Sequence, residues 1–248
     1  MKSEEAASFC AIAAEVVRAS ADLLRGAPSA EPVSAIGRDM KLSEDAASEA
    51  LIVAALRARS DLPILAEESG WVGGRAPEEG APYWALDPLD GSYNRFCGVP
   101  LNCVALALCI GFRPIVGAVF DFNRDELFAG GPGLGLTLNG RALAPPARAT
   151  GILATGLPVR GDFSPEGLAR IAQEFSRWKK VRMIGSAALS LSWVAAGRFD
   201  AYREAGISWW DVAAGLALVS AVGGAIDVAG ARLEDPLTIA ATSPAAAP

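Results

Sequence analysis

The sequence predicts an α/β protein in two parts, an α+β half over residues 1–146 and an α/β half over residues 147–248. Three observations predict it. Amphipathic helical patterns at the start give way to short apolar segments separated by turn residues; Pro145-Pro146 breaks that series; from there strands and helices alternate. With 52% hydrophobic residues the chain can bury a sizeable core, and 248 residues suit one large domain or two modest ones sharing an interface.

Small and apolar residues recur at helical spacing over residues 4–25 and stop before Gly26 and Pro28, which marks a first helix. A second spans residues 45–59, with Ser43 placed to cap it. Residues 62–66 form a short apolar strand that ends in Glu67-Glu68-Ser69-Gly70, and the Gly- and Pro-rich tract 70–82 is a surface loop. Residues 83–86 read as another buried strand that ends in carboxylates. Residues 101–110 and 114–122 flank Gly111-Phe112-Arg113 as an antiparallel hairpin; a third strand covers 126–129, and Asn139-Gly140 marks a further tight turn. Gly130-Gly131-Pro132-Gly133-Leu134-Gly135 lacks the Lys and Ser/Thr that a nucleotide loop needs and reads as a hairpin turn. In the second half, strands at 152–155, 181–184 and 201–203 alternate with helices at 165–178, 186–196 and 211–221.

Composition narrows the chemistry. A net charge of −6 without a Lys/Arg cluster argues against a nucleic-acid partner. The uncharged stretch 212–226 is shorter than the roughly 18 residues of a membrane span. The acidic start Met1-Lys2-Ser3-Glu4-Glu5 is no secretory signal, so a cytoplasmic protein is expected. Cys10, Cys97, Cys103 and Cys109 have no CxxC spacing and read as buried structural thiols. There is no histidine, which removes Ser-His-Asp and Cys-His catalysis and histidine-type zinc sites. A hydrolase built from this chain works with carboxylates, whose hard oxygens select Mg²⁺ or Mn²⁺.

The strongest local signal is Asp87-Pro88-Leu89-Asp90-Gly91-Ser92. Two acids at a strand end can face one point once Pro88 and Gly91 bend the backbone. Asp87 and the Leu89 carbonyl could then hold one divalent ion, and Asp87 with Asp90 a second. Gly91 and Ser92 offer backbone N–H groups to a phosphate. The same residues can equally form a plain solvated turn. Two further acids strengthen the first reading: the pair Glu67-Glu68 at a strand end, and Asp211 at a helix start, where taken alone it would serve as an N-cap.

AEES, DPLDGS and WWDVAAG, in this order and spacing, resemble the signature motifs of the inositol monophosphatase superfamily, and Gly185 to Tyr202, GSAALSLSWVAAGRFDAY, is similar to the family segment before the last metal ligand. The resemblance implies a layered α-β-α-β-α sandwich, usually a homodimer, and a Mg²⁺-dependent phosphomonoesterase using two or three ions. Glu67, Asp87 and the Leu89 carbonyl would hold the first metal, and Asp87, Asp90 and Asp211 the second. Asp45, Glu67 and Ser92 would be the catalytic residues that position and activate the attacking water, with no covalent phosphoenzyme. Asp90, Gly91, Ser92, Gly185, Ser186, Ala187, Glu204 and Asp211 would contact substrate, Glu204 through hydroxyls of the leaving group. Inositol 1-phosphate is the family-typical substrate, and inhibition by lithium is expected. Ser208 stands where inositol-preferring relatives carry His, and Gly37-Arg38-Asp39 with DGSYN resembles members that cleave fructose 1,6-bisphosphate. That substrate, histidinol phosphate and 3′-phosphoadenosine nucleotides are therefore rivals. A non-enzymatic regulatory or interaction protein on the same fold is the other class. Trp209 and Trp210 can line a pocket or pack the core; Arg160 and the run Arg177, Lys179, Lys180 and Arg182 can bind a second phosphate or face solvent.

Overall fold

The computed structural model describes residues 1–26, 32–36, 39–157 and 162–246. Helix α1, Ser3–Gly26, is followed by an antiparallel hairpin of β1, Pro32–Ile36, and β2, Asp39–Leu42, and by helix α2, Ser43–Arg57. An eight-stranded sheet comes next. It contains β3 (Ile64–Ala66), β4 (Gly70–Trp71), β5 (Pro82–Asp90), β6 (Cys103–Ile110), β7 (Arg113–Asp121), β8 (Glu126–Gly131), β9 (Gly135–Leu138) and β10 (Arg141–Leu143). Their order is β10-β9-β8-β7-β6-β5-β3-β4, with β3 and β5 parallel and the other neighbours antiparallel. A short helix α3, Ser92–Phe96, joins β5 to β6.

The second sheet is five-stranded: β11 (Ile152–Ala154), β12 (Lys180–Arg182), β13 (Ala201–Ile207), β14 (Ala225–Ala229) and β15 (Leu237–Thr242), ordered β12-β11-β13-β15-β14. Its helices are α4 (Pro165–Phe175), α5 (Ala187–Ala195) and α6 (Trp209–Ala221). Helices α1 and α2 cover one face of the large sheet, α5 and α6 fill the space between the two sheets, and α4 lies outside the second sheet. The expected α-β-α-β-α layering is present.

Strand β6 shows why these layers form. Cys103, Ala105, Ala107 and Cys109 face α5 and α6, while Val104, Leu106 and Leu108 face α1 and α2, and all are buried. A strand covered on both faces reads as a continuous apolar run. The smaller set lies under the helices, which lets α6 come close. At Gly117 on β7, an added Cβ would stand 2.2 Å from the Ala214 carbonyl oxygen of α6, and at Gly215 one would stand 2.3 Å from Leu191 Cβ of α5. Helix–sheet and helix–helix contact at this depth requires glycine.

Several expectations change. Ser43 is already helical, and the cap comes from inside: the Leu42 N–H donates to Asp45 Oδ2 at 2.7 Å. The tract 70–82 holds strand β4 and a 3-10 turn at Val72–Gly74. β13 continues past Arg203 to Ile207, and the β1–β2 hairpin, β14 and β15 add strands that the apolar runs did not announce. Cys97 is exposed and Cys10 half-buried, so only Cys103 and Cys109 of the four are fully buried. Trp209 is fully buried in the core and Trp210 packs against it. Arg177, Lys179, Lys180 and Arg182 face solvent, and the glycine-rich 130–135 segment forms the β8–β9 hairpin. Pro28, Gly37, Arg38 and Arg160 lie outside the described residues. Among the described residues, no helix is long and apolar enough to cross a membrane.

Candidate active site

The end of β5 is irregular in a way that decides where its acids point. Opposite β6, Asp87 pairs with Ala105 and Asp90 with Cys103, so Pro88 and Leu89 together stand against Val104. This surplus residue is a β-bulge. In a regular strand, side chains three positions apart face opposite sides of the sheet. With the bulge, both acids share the side of Ala105 and Cys103, toward α5 and α6. The Leu89 N–H donates to Asp87 Oδ1 at 3.0 Å, an Asx turn that fixes the bend.

Glu67 follows β3, and its N–H donates to the Leu86 carbonyl at 3.2 Å, which sets it beside Asp87. Asp211 lies in the first turn of α6; Ser208 is the N-cap residue, and its N–H donates to Asp211 Oδ2 at 3.2 Å. The structure brings carboxylate oxygens of Glu67, Asp87 and Asp211 within 4.8 Å of one another. Asp90, the fourth acid, turns toward the start of α5. It accepts from Ser186 Oγ at 2.6 Å, from the Ala188 N–H at 2.7 Å and from the Ala187 N–H at 3.3 Å. The Cys103 thiol lies beneath, 3.8 Å from Asp90 Oδ2.

Burial is the main cause that raises the Asp87 carboxyl well above its ordinary range, and the charges of Glu67, Asp90 and Asp211 add to it. Asp211 is raised for the same reasons, burial first and then Glu67 and Asp90. Asp90 is raised by burial even though Ser186 and the α5 amides pull the other way. Acids held this close in a dry setting repel one another unless a cation joins them. The donors are all oxygens, which suits Mg²⁺ or Mn²⁺ rather than a softer metal.

A second layer of contacts comes from α2. Asp45, Ser48 and Glu49, three buried polar residues at helical spacing, face the strand ends. Ser92 Oγ lies 2.9 Å from the Leu89 carbonyl and 3.2 Å from Asp45 Oδ1, so its single hydrogen has two acceptors. Ser48 Oγ donates to the Pro88 carbonyl at 2.9 Å. Glu49 accepts from the Glu68 N–H at 2.9 Å and from the Ser69 hydroxyl, gripping the turn that carries Glu67.

Asp90 and Asp211 open onto a cavity of about 490 Å³ that Gly185, Ser186, Ala187 and Glu204 also line. Gly91 links β5 to α3 at φ +91°, and a Cβ there would meet the Leu101 carbonyl at 2.7 Å and that of Gly185 at 3.2 Å. The Asn94 amide donates to the Leu101 carbonyl at 2.7 Å and to that of Ile184 at 2.8 Å, tying α3 to the 184–187 loop. Burial raises the Glu204 carboxyl, and the nearby Asp90 charge adds to it. Glu67, Asp87 and Asp211 thus meet, Asp90, Gly185, Ser186, Ala187, Glu204 and Asp211 line one cavity, and Ser92 reaches both Asp45 and Leu89. Sequence reading missed Ser48, Glu49 and Asn94. The polar positions 45, 48 and 49 on an otherwise small and apolar helix were the available signal for two of them.

Comparison with known proteins gives a consistent result. The profile of the Inositol monophosphatase family matches residues 6–248. A relative from Pseudomonas aeruginosa, Nus factor SuhB, is 39% identical over 198 residues, covering 76% of this chain and 72% of the relative. Inositol-1-monophosphatase from a Synechocystis species is 37% identical over 197 residues, covering 76% and 66%. The solved inositol monophosphatase from Anabaena (Nostoc) superposes with a TM-score of 0.78 at 33% identity, over 96% of this chain and 91% of that one. The chain belongs to the inositol monophosphatase family.

Proposed function

We propose that the chain hydrolyses small phosphomonoesters with polyol or sugar leaving groups in a Mg²⁺-dependent reaction, with inositol 1-phosphate the first substrate to test. The observation that carries this reading is the meeting of Glu67, Asp87 and Asp211, with oxygens within 4.8 Å, where Asp211 also lines a cavity of about 490 Å³. Glu67, Asp87 and the Leu89 carbonyl would hold one ion, and Asp87, Asp90 and Asp211 another; a third ion, or Mn²⁺ in place of Mg²⁺, belongs to the same reading. Such ions supply positive charge to the phosphoryl oxygens and to the attacking and leaving atoms.

The chain's own groups do the rest. Ser92 Oγ, 3.2 Å from Asp45 Oδ1, can give its hydrogen to that carboxylate and present lone pairs to a water, orienting it and drawing on its proton. Gly185 lines the cavity and Gly91 packs against the Gly185 carbonyl, where a side chain would not fit; in this reading their backbone amides serve a bound phosphate. Glu204 on the far wall accepts hydrogen bonds from hydroxyls of the leaving group. A homodimer and a cytoplasmic setting are part of the proposal and rest on the family likeness.

Phosphate release from inositol 1-phosphate, fructose 1,6-bisphosphate, histidinol phosphate and a 3′-phosphoadenosine nucleotide, with Mg²⁺ and with chelator, tests the reading. Release from inositol 1-phosphate that chelator abolishes supports it; silence on all four overturns it. A second reading follows from the Nus factor name of the Pseudomonas aeruginosa relative, a regulatory role on the same fold. Mg²⁺ binding without turnover of any ester would favour that reading.

A further inference from the structure

We propose that Gly156 and Tyr202 are positioning residues that fix Glu204 as the acceptor for a leaving-group hydroxyl, and so set the preference for hydroxylated over hydroxyl-free phosphomonoesters. This rests on the phosphatase reading and deepens it.

The argument begins with register. β11 and β13 run parallel with Ala154 opposite Tyr202, so continuing two positions brings Gly156 alongside Glu204. An added Cβ at Gly156 would stand 2.3 Å from both carboxylate oxygens of Glu204. The carboxylate occupies the space a side chain would fill. Tyr202, two positions before Glu204 on the same strand face and buried, donates its hydroxyl to Glu204 Oε2 at 2.6 Å. The Gly156 backbone lies against the same carboxylate and favours its charged form. A carboxylate has about four acceptor sites. The Tyr202 hydroxyl and the close Gly156 backbone hold the group in one orientation and leave acceptor capacity for a ligand.

The cavity itself supports the chemical class. Glu204 shares its wall with Thr155, Tyr93, Leu157 and Ile207, and among the described residues that line it none is Lys or Arg. The described residues of this wall accept hydrogen bonds and offer apolar contact, and none of them sets a cation against a second phosphate. The fitting leaving group is uncharged and carries hydroxyls.

The test compares kcat/KM for inositol 1-phosphate and for 4-nitrophenyl phosphate, which has no leaving-group hydroxyl in its ester form, at saturating Mg²⁺. Tyr202→Phe and Gly156→Ala should each lose about tenfold on inositol 1-phosphate, mainly through KM, the effect of one hydrogen bond to a charged group. The same variants should stay within about twofold of the parent on 4-nitrophenyl phosphate, because that ester makes no use of Glu204. Tyr202→Phe removes one hydroxyl and keeps the ring, so it tests the idea even where Gly156→Ala folds poorly. Equal losses on both esters would mean a merely structural role and overturn the inference. So would a Tyr202→Phe enzyme unchanged on both. A parent that hydrolyses 4-nitrophenyl phosphate without favouring the polyol ester overturns the inference and leaves the phosphatase reading standing. A parent that hydrolyses neither overturns both.

Discussion

Asp211→Asn should stabilise the metal-free protein while removing its response to Mg²⁺. Two unit charges 4.8 Å apart at an effective dielectric near 20 repel by about 3.5 kcal/mol. Asp211 faces two such partners, Glu67 and Asp87. The carboxyls of Asp87 and Asp211 are raised by burial and by their neighbours' charges, so proton uptake is one way the cluster can relieve part of this. The gain is therefore limited to roughly one pair, about 3 kcal/mol. Asn keeps an oxygen for the Ser208 N–H, so the start of α6 survives the change. In a chain of 248 residues this corresponds to a rise in Tm of about 6–12 °C. Thermal unfolding in chelator, followed by Mg²⁺ titration, measures it. The parent should gain stability as Mg²⁺ is added, by RT ln(1 + c/Kd) at a free Mg²⁺ concentration c, and the variant should gain little. A metal-free variant that melts at or below the parent would refute the reasoning, as would one that keeps the parent's Mg²⁺ increment.

Three more outcomes are expected. Asp87, Asp90 and Asp211 have carboxyls raised above the ordinary 3.8 in the folded protein, so the native state holds protons more tightly than the unfolded chain. Their contribution is fully present below that ordinary value and is lost as pH rises through the raised ones; the metal-free urea midpoint should fall as pH rises above the ordinary carboxylate range, and a midpoint that climbs would contradict the assignment. Glu49→Ala should weaken Mg²⁺ binding by about tenfold in calorimetry, with Glu49→Gln recovering part of it, because Glu49 grips the turn that carries Glu67. Unchanged affinity would show that the turn holds without it. Gly117→Ala should cost about 1–3 kcal/mol in denaturant unfolding, since its Cβ would stand 2.2 Å from the Ala214 carbonyl. A wild-type midpoint there would mean that α6 shifts freely on the sheet.

Much of the architecture was legible because burial on two faces leaves a plain trace. The runs behind β6 and β7 are nearly continuous apolar stretches, and Asn139-Gly140 marks the β9–β10 turn. β13 read short because Arg203 and Glu204 interrupt its apolar run, Arg203 reaching solvent and Glu204 the cavity. β14 lies at a sheet edge, where its side chains are half-buried at most, and it offers no contrast to read. The acids themselves stood out by spacing. Their supports did not, because Glu49 meets Ser69 and Asn94 meets Ile184 across long stretches of chain. Such pairings are settled by how α2 and α3 dock, which local pattern does not encode.

The surplus residue in β5 has a consequence for how this kind of centre can be lost. Were β5 to pair with β6 in regular register beyond Asp87, Asp90 would stand opposite Asn102 and turn toward α1 and α2, with every acid still in the chain. A centre of this build can thus be lost through a slip of strand register that spares all its chemical groups. Counting residues between the two aspartates is as informative as finding them.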